Sequence, residues 1–384
     1  MEERIYLDNN ASTHIDPKVL EAVIDVLKNF PGNPSSMHTF GQALGRKMTA
    51  ARDLIAKHLN VRNREIIFTS GASEGMNMLL KGFFDGNYRG HIITSDLEHP
   101  CVYNTVKYLE GKGVEVTYLS PGKYGAPKPE DVQNAIRPDT RLVALMAANN
   151  ETGVKTDINA ISALLSQHEI PFFVDAVAYL GKENFFIPDG VTAMVFSGHK
   201  IHAPKGIGFV FLRKSQKITP LLVGGGHEYG LRAGTENVSD IVGLAKAVQI
   251  LDEVLPAATK RVMELRDFFE KEIIEQLGDV LINGEGPRVC NTSNLSFPGV
   301  EGETLLANLD MQGIAVSHGS ACASGALEPS RVILNMGATR EEARSSIRFS
   351  LSRYTTRTEI ERAISIIVSN VNRLRKTVKN KADY

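Results

Sequence analysis

Short apolar runs, each followed by a polar loop, set the fold class of this chain. They lie at residues 65–68, 90–93, 116–119, 141–145, 172–174 and 194–196. Helix-like patterns separate most of them. Such alternation predicts an α/β fold, with a mostly parallel sheet wrapped by helices. In sheets of this kind ligands gather at the carboxyl ends of the strands. Thr69-Ser70-Gly71, residues 96–99, Asn149-Asn150, Asp175 and residues 197–200 all stand just after such runs.

The rest of the chain reads as helices and a second unit. Asp16-Pro17 is an N-cap followed by a first-turn proline, and Val19, Leu20, Val23 and Leu27 share one helical face. A long helical stretch over 240–277, interrupted near Pro256, leads out of a large domain (15–255). The smaller α+β domain takes 1–14 and 256–384, with strand-like runs at 280–283, 294–297 and 346–350. Thr356-x-x-Glu359 is a capping box. It opens a helix with Ile360, Ala363, Ile364, Ile367, Val368, Val371 and Leu374 on one face, and the basic tail beyond is expected to fray.

Composition narrows the functional classes. Hydrophobic content of 42% with 23% charged residues is that of a soluble globule. A net charge of −1 draws neither nucleic acid nor an anionic membrane. No apolar run has the ~18 residues of a membrane span, and the N-terminus has no apolar targeting core. Three scattered cysteines suit neither a disulfide scaffold nor a four-thiolate zinc site. No metal is expected, and a reducing cytoplasm is.

The chemistry is carried by Ser197-Gly198-His199-Lys200, read with Asp175 upstream. A lysine and an acid at neighbouring strand ends are what pyridoxal phosphate requires. The amine condenses with the aldehyde, and the carboxylate keeps a proton on the pyridine nitrogen. Residues 69–74 lie between a strand and a helix, where free N–H groups and the Ser73 hydroxyl suit a phosphate. His99 is placed to stack on a planar cofactor. Cys322 sits among small residues in Gly319-Ser-Ala-Cys-Ala-Ser324, which predicts an exposed, mobile loop and a nucleophilic thiol, with His318 nearby. Arg348, in a strand-like run, is able to grip a carboxylate. Singly, each has a blander reading: an ordinary turn, a surface histidine, a strand-end cap, a solvated lysine, a buried thiol, a structural ion pair. Cys101 and Cys290 read as spectators.

Together these residues resemble the cysteine desulfurases, a family of fold-type I pyridoxal-phosphate enzymes, which implies a large domain with a mostly parallel, seven-stranded sheet and a smaller α+β C-terminal domain. The likeness runs through Tyr6-Leu-Asp-Asn-Asn-Ala-Ser12, Gly32-Asn-Pro-Ser-Ser36, Thr69-Ser-Gly-Ala-Ser73, Asn149-Asn-Glu-Thr-Gly153, Ser197-Gly-His-Lys200, Gly234-Thr-Glu-Asn237 and the Cys322 string. It implies that Lys200 bonds the coenzyme and shuttles the substrate α-proton, Asp175 pairs with the ring nitrogen and His99 stacks on the ring. It implies that Ala72, Ser73, Ser197 and His199 hold the phosphate, and that Thr235 reaches the phosphate of the other subunit of a homodimer. Asn150 and Arg348 would hold the carboxylate of L-cysteine. Cys322 would take its sulfur as a persulfide and pass it to an acceptor protein such as an iron–sulfur scaffold, leaving L-alanine.

Three positions depart from the family pattern. Ala178 stands where a glutamine usually donates to the coenzyme's phenolic oxygen, a bond worth about 0.5–1.5 kcal/mol. Tyr229 replaces an arginine and its fixed charge, and Ala203 replaces a glycine. These departures keep other readings open: a selenocysteine lyase, a cysteine sulfinate desulfinase, or a catalytically weakened coenzyme-binding paralogue acting as an interaction subunit.

Overall fold

The computed structural model describes residues 4–319 and 329–382, the side chains of 378–382 aside. Its first strand, β1 (Ile5–Tyr6), belongs to the smaller of two cores. The larger core is built on β2 (Ile66–Thr69), β3 (His91–Ser95), β4 (Glu115–Leu119), β5 (Thr140–Met146), β6 (Phe172–Asp175), β7 (Ala193–Ser197) and β8 (Gly208–Leu212). The order across this sheet is β2-β8-β7-β6-β5-β3-β4. Neighbours from β7 to β4 are parallel, and β8 is antiparallel to both β2 and β7. Strand β8 is the one the run pattern did not single out. It follows the turn after β7 with no intervening helix, so it returns beside β7 in the opposite direction.

Both faces of the sheet are covered. Ile67, Ile92, Leu142, Phe173, Val195 and Val210 enter one core layer. Phe68, Ile93, Val143, Val174, Phe196 and Phe209 enter the other. Alternate residues serve opposite layers, which is why these strands read as unbroken apolar runs.

The smaller core joins β1 and β11 (Ile314–Ala315), paired in parallel, to an antiparallel sheet ordered β12-β10-β9. Its strands are β9 (Leu281–Ile282), β10 (Thr292–Ser296) and β12 (Ser346–Ser350). The helix Val238–Leu277 connects the two cores, burying Ile241, Leu244 and Leu251 in the first and Val262, Phe269 and Ile273 in the second. It runs unbroken through Pro256, contrary to the expected interruption. Pro256 and Asp252 both lie on the exposed side of this helix. The last helix, Arg357–Ala382, also outlasts expectation. Arg375 holds it down by donating to the carbonyls of Pro298 (3.1 Å), Leu277 (3.1 Å) and Asp279. Among the described residues no helix is long and apolar enough to cross a membrane.

The segment after β8 is anchored by one buried ion pair. Arg52 donates to both oxygens of Glu228, at 2.8 and 2.6 Å, and Phe68 N donates to the same carboxylate at 2.8 Å. Glu228 and Tyr229 have φ of 45° and 61°, a left-handed pair that side chains resist. The Arg52 guanidinium lies between the rings of Phe68 (4.6 Å) and Tyr229 (5.2 Å). A cation therefore stays in this region although position 229 carries none.

Breaking a buried pair leaves one charge uncompensated. Arg52→Ala is expected to destabilise the fold by about 3–5 kcal/mol in urea unfolding. A loss below about 1 kcal/mol would mean that Glu228 finds another partner.

Candidate active site

A cavity of about 490 Å³ opens at the carboxyl ends of β5, β6 and β7, within the usual range for small-molecule sites. Its wall includes His99, Asn150, Asp175, Ser197, His199, Lys200 and Arg348, with Ala72 and Ser73 at the start of the helix Ala72–Phe84. Local reasons put each residue there. Asp175 ends β6, and Lys200 ends the single turn Gly198–Lys200 after β7. His99 caps the helix Pro100–Glu110, its Nδ1 accepting from Cys101 N at 3.2 Å.

Asp175 is the electrostatic centre. It is buried, and Val177 N donates to its Oδ1 at 3.0 Å. Among the described residues no ion pair reaches it. Burial raises its carboxyl, against the pull of His99, Val177 N and Lys200. Burial also lowers His99, and Asp175 opposes that shift.

The opposite end of the cavity is built for an anion. Gly71 caps the helix Ala72–Phe84 with φ +156° and no side-chain acceptor, so the first N–H groups are available. A Cβ on Gly208 would lie 2.7 Å from Gly71 Cα and 2.5 Å from Phe196 O, so only glycine permits this close approach. Glu74, in the same turn, is already compensated. Burial raises its carboxyl, but Arg232 (2.8 Å) and Ser70 N (2.8 Å) bring it below its ordinary value.

Lys200 Nζ donates to the carbonyls of Asn10 and Ala11, the latter at 2.9 Å. Arg348 is 2% exposed, pairs with Asp8 at 2.8 Å, donates to Asn150 O at 3.1 Å, and leaves Nε buried without a partner. Thus it is both a structural ion pair and part of the cavity wall.

These groups fit pyridoxal phosphate. A buried acid with no ion pair among the described residues suits a pyridinium, uncapped helix N–H groups suit a phosphate, and a lysine lies in the same cavity. Arg348, in the cavity wall, suits a substrate carboxylate.

The structure also departs from the sequence reading. Cys101, read as a spectator, lines the cavity with Sγ 4.0 Å from Asp175 Oδ2; the apolar spacing of its helix hid this. Cys290 is outside this cavity, its Sγ donating to Lys182 O at 3.3 Å. Thr235 is exposed and does not line the cavity. Cys322 lies outside the described residues. His318 Nδ1 is held by Ser346 O at 2.7 Å. Ala178 lines the cavity and offers no donor. Asp8, Asn10, Ala11 and Lys205 had no assigned part. Only the motif at residues 6–12 hinted at the first three.

The chain is similar throughout to known proteins. The family described as aminotransferase class-V matches residues 5–363. A curated "Cysteine desulfurase" from Nostoc sp. (strain PCC 7120) is 43% identical over 97% of this chain and 94% of its own. A solved "NifS-like protein" superposes with a TM-score of 0.89 at 36% identity, covering 96% of this chain and 99% of its own. "SspA in complex with cysteine" does so with 0.81 at 34% identity, covering 92% and 100%.

Two histidines beside Lys200 set a pH response. Burial, then Lys200, Lys205 and His99, push His199 down to about 4. Burial and Arg353 push His202 down to about 3. The unfolded chain takes protons near 6.5, so below that it binds more than the native state, and stability falls. For coenzyme-free protein we expect the urea midpoint to drop as pH goes from 6.5 towards 4, and NMR titration midpoints near 4 and 3. Midpoints near 6.5 would contradict the burial of both rings.

Proposed function

The chain belongs to the aminotransferase class-V family and within it to the cysteine desulfurases, and from that premise we propose how its residues move sulfur from L-cysteine to an acceptor. It is a pyridoxal-phosphate enzyme of fold type I that converts L-cysteine to L-alanine. The coenzyme, when bound, supplies an electron sink for the pair left at the substrate α-carbon. Asp175 would hold the proton on its ring nitrogen, His99 would lie against the ring, and Ala72, Ser73, Ser197 and His199 would hold its phosphate.

Arg348 and Asn150 orient the substrate carboxylate, and Lys200 removes and returns the α-proton. The Cys322 thiolate attacks the substrate sulfur. An S–S bond forms, the Cβ–S bond breaks with its electron pair passing to carbon, and Cβ takes a proton. L-cysteine and a thiol become L-alanine and a persulfide, with no external oxidant. The outer sulfur then passes to an acceptor protein of iron–sulfur cluster assembly or a related biosynthesis.

One observation carries the role of Cys322. Its segment leaves from Ser317, whose backbone exchanges two hydrogen bonds with Arg348 (2.7 and 3.2 Å). It returns at Ser330, whose hydroxyl donates to Glu151 Oε2 at 2.5 Å, one residue beyond Asn150. One flank is thus tied to Arg348 and the other to the residue next to Asn150. The exposure of Thr235 supports a homodimer in which each subunit completes the other's phosphate site. A persulfide-forming thiol also suits a reducing cytoplasm.

Purified protein given L-cysteine should release alanine and carry one extra sulfur on Cys322 by mass spectrometry, and Cys322→Ala should do neither. Equal alanine from both would remove this thiol from the reaction. Parallel rates with selenocysteine and cysteine sulfinate rank the substrates. Ala178→Gln should shift the pH midpoint of the coenzyme's visible absorption by about half to one unit, the equivalent of one hydrogen bond. An unchanged midpoint and turnover would show that position 178 does not face the phenolic oxygen.

A further inference from the structure

Three metal-ligating side chains converge in the cavity wall. His99, Cys101 and Asp175 each offer one ligand atom, all within 4.8 Å of one another. They come from two elements, the start of the helix Pro100–Glu110 and the end of β6. His99 Nδ1 accepts from Cys101 N, so the neutral ring carries its proton on Nε2, and Nδ1 is the lone pair that a metal would take in place of that bond. In Asp175 a hydrogen bond occupies one oxygen and leaves the other available. Asp175 Oδ1 is taken by Val177 N, which leaves Oδ2, 4.0 Å from Cys101 Sγ.

One nitrogen, one sulfur and one oxygen form a donor set that zinc accepts. Bonds of about 2.0–2.3 Å in a tetrahedron space the donors about 3.3–3.7 Å apart, so the trio must close by about an ångström. The surroundings favour a cation. Glu98 is fully buried, and its Oε2 has no partner among the described residues. A dication inserted there deprotonates the sulfur.

We propose that the coenzyme-free chain binds a zinc ion through His99, Cys101 and Asp175, with water in the fourth position, and that zinc and pyridoxal phosphate exclude each other. On binding, the Cys101 S–H bond breaks, a Zn–S bond forms and the proton leaves to solvent. No group changes oxidation state. Two anionic ligands neutralise the dication, so the buried site keeps no net charge. The exclusion rests on the coenzyme placement proposed above, in which Asp175 and His99 hold the ring; the metal site does not.

The test uses the full chain freed of coenzyme, with cobalt(II) as the spectroscopic probe. The wild type should take up one cobalt per chain with a near-ultraviolet sulfur-to-cobalt charge-transfer band that zinc abolishes. Cys101→Ala should lack the band and bind zinc more weakly by over about a hundredfold, more than an outer-shell change produces. The variant should still load pyridoxal phosphate, which shows that it is folded. Zinc should slow coenzyme loading in the wild type and leave loading of Cys101→Ala unchanged. A missing band, or one that persists in Cys101→Ala, overturns the site. A Cys101-dependent band that survives coenzyme loading overturns the exclusion and the coenzyme placement, and leaves the metal site standing.

Discussion

A carboxyl buried at a strand end without a counter-ion is unfavourable until a cation meets it. Asp175 is such a group, and the rest of the cavity is arranged around it. The parallel strands β5, β6 and β7 bring Met146 and Val195 to either side of Asp175 as register partners. Apolar neighbours remove water and raise the acid. A ligand that brings its own positive charge, as a protonated pyridine does, relieves that burial. The same argument explains why Glu74, at the other end, needs Arg232: a second uncompensated anion there would repel a phosphate.

The second core supplies what the large sheet lacks. Strand β12 carries Arg348 to the cavity, and the chain's first residues carry Asp8, Asn10 and Ala11 beside it. Asn10 is the hub of this meeting. Its Nδ2 donates to Asn150 O (3.1 Å) and Thr292 Oγ1 (2.8 Å), its Oδ1 accepts from Asn291 (3.0 Å), and its carbonyl receives Lys200. The helix Val238–Leu277 holds both cores in one frame, so carboxylate-gripping and proton-carrying groups share a single wall. Buried polar networks of this kind are stable only when nearly every member is paired.

Much of this was legible in the sequence, for a local reason. Asp175, Lys200, His99 and Asn150 each follow an apolar run, and in a parallel sheet that position is the ligand-binding end. Helix ends were equally readable, because Asp16-Pro17 and Thr356-x-x-Glu359 satisfy their own backbone donors within a few residues. Strand β8 was not, because a hairpin return carries no helix to announce it. The continuity of the helix at Pro256 and of the last helix beyond Leu374 also escaped notice. The carbonyls held by Arg375 decide the second outcome, and they do not lie nearby in sequence.

The sequence by itself determined the alternation of strands and helices, the two strand-end residues Lys200 and Asp175, and the family. Those follow from short-range periodicity and from motifs whose parts are neighbours along the chain. Tertiary structure alone decided that Arg348 is at once an ion pair and a cavity wall, that Lys200 rests on the carbonyls of Asn10 and Ala11, and that Cys101 joins His99 and Asp175. Each of these contacts closes a loop of tens to hundreds of residues, and only the packing of two cores sets such distances.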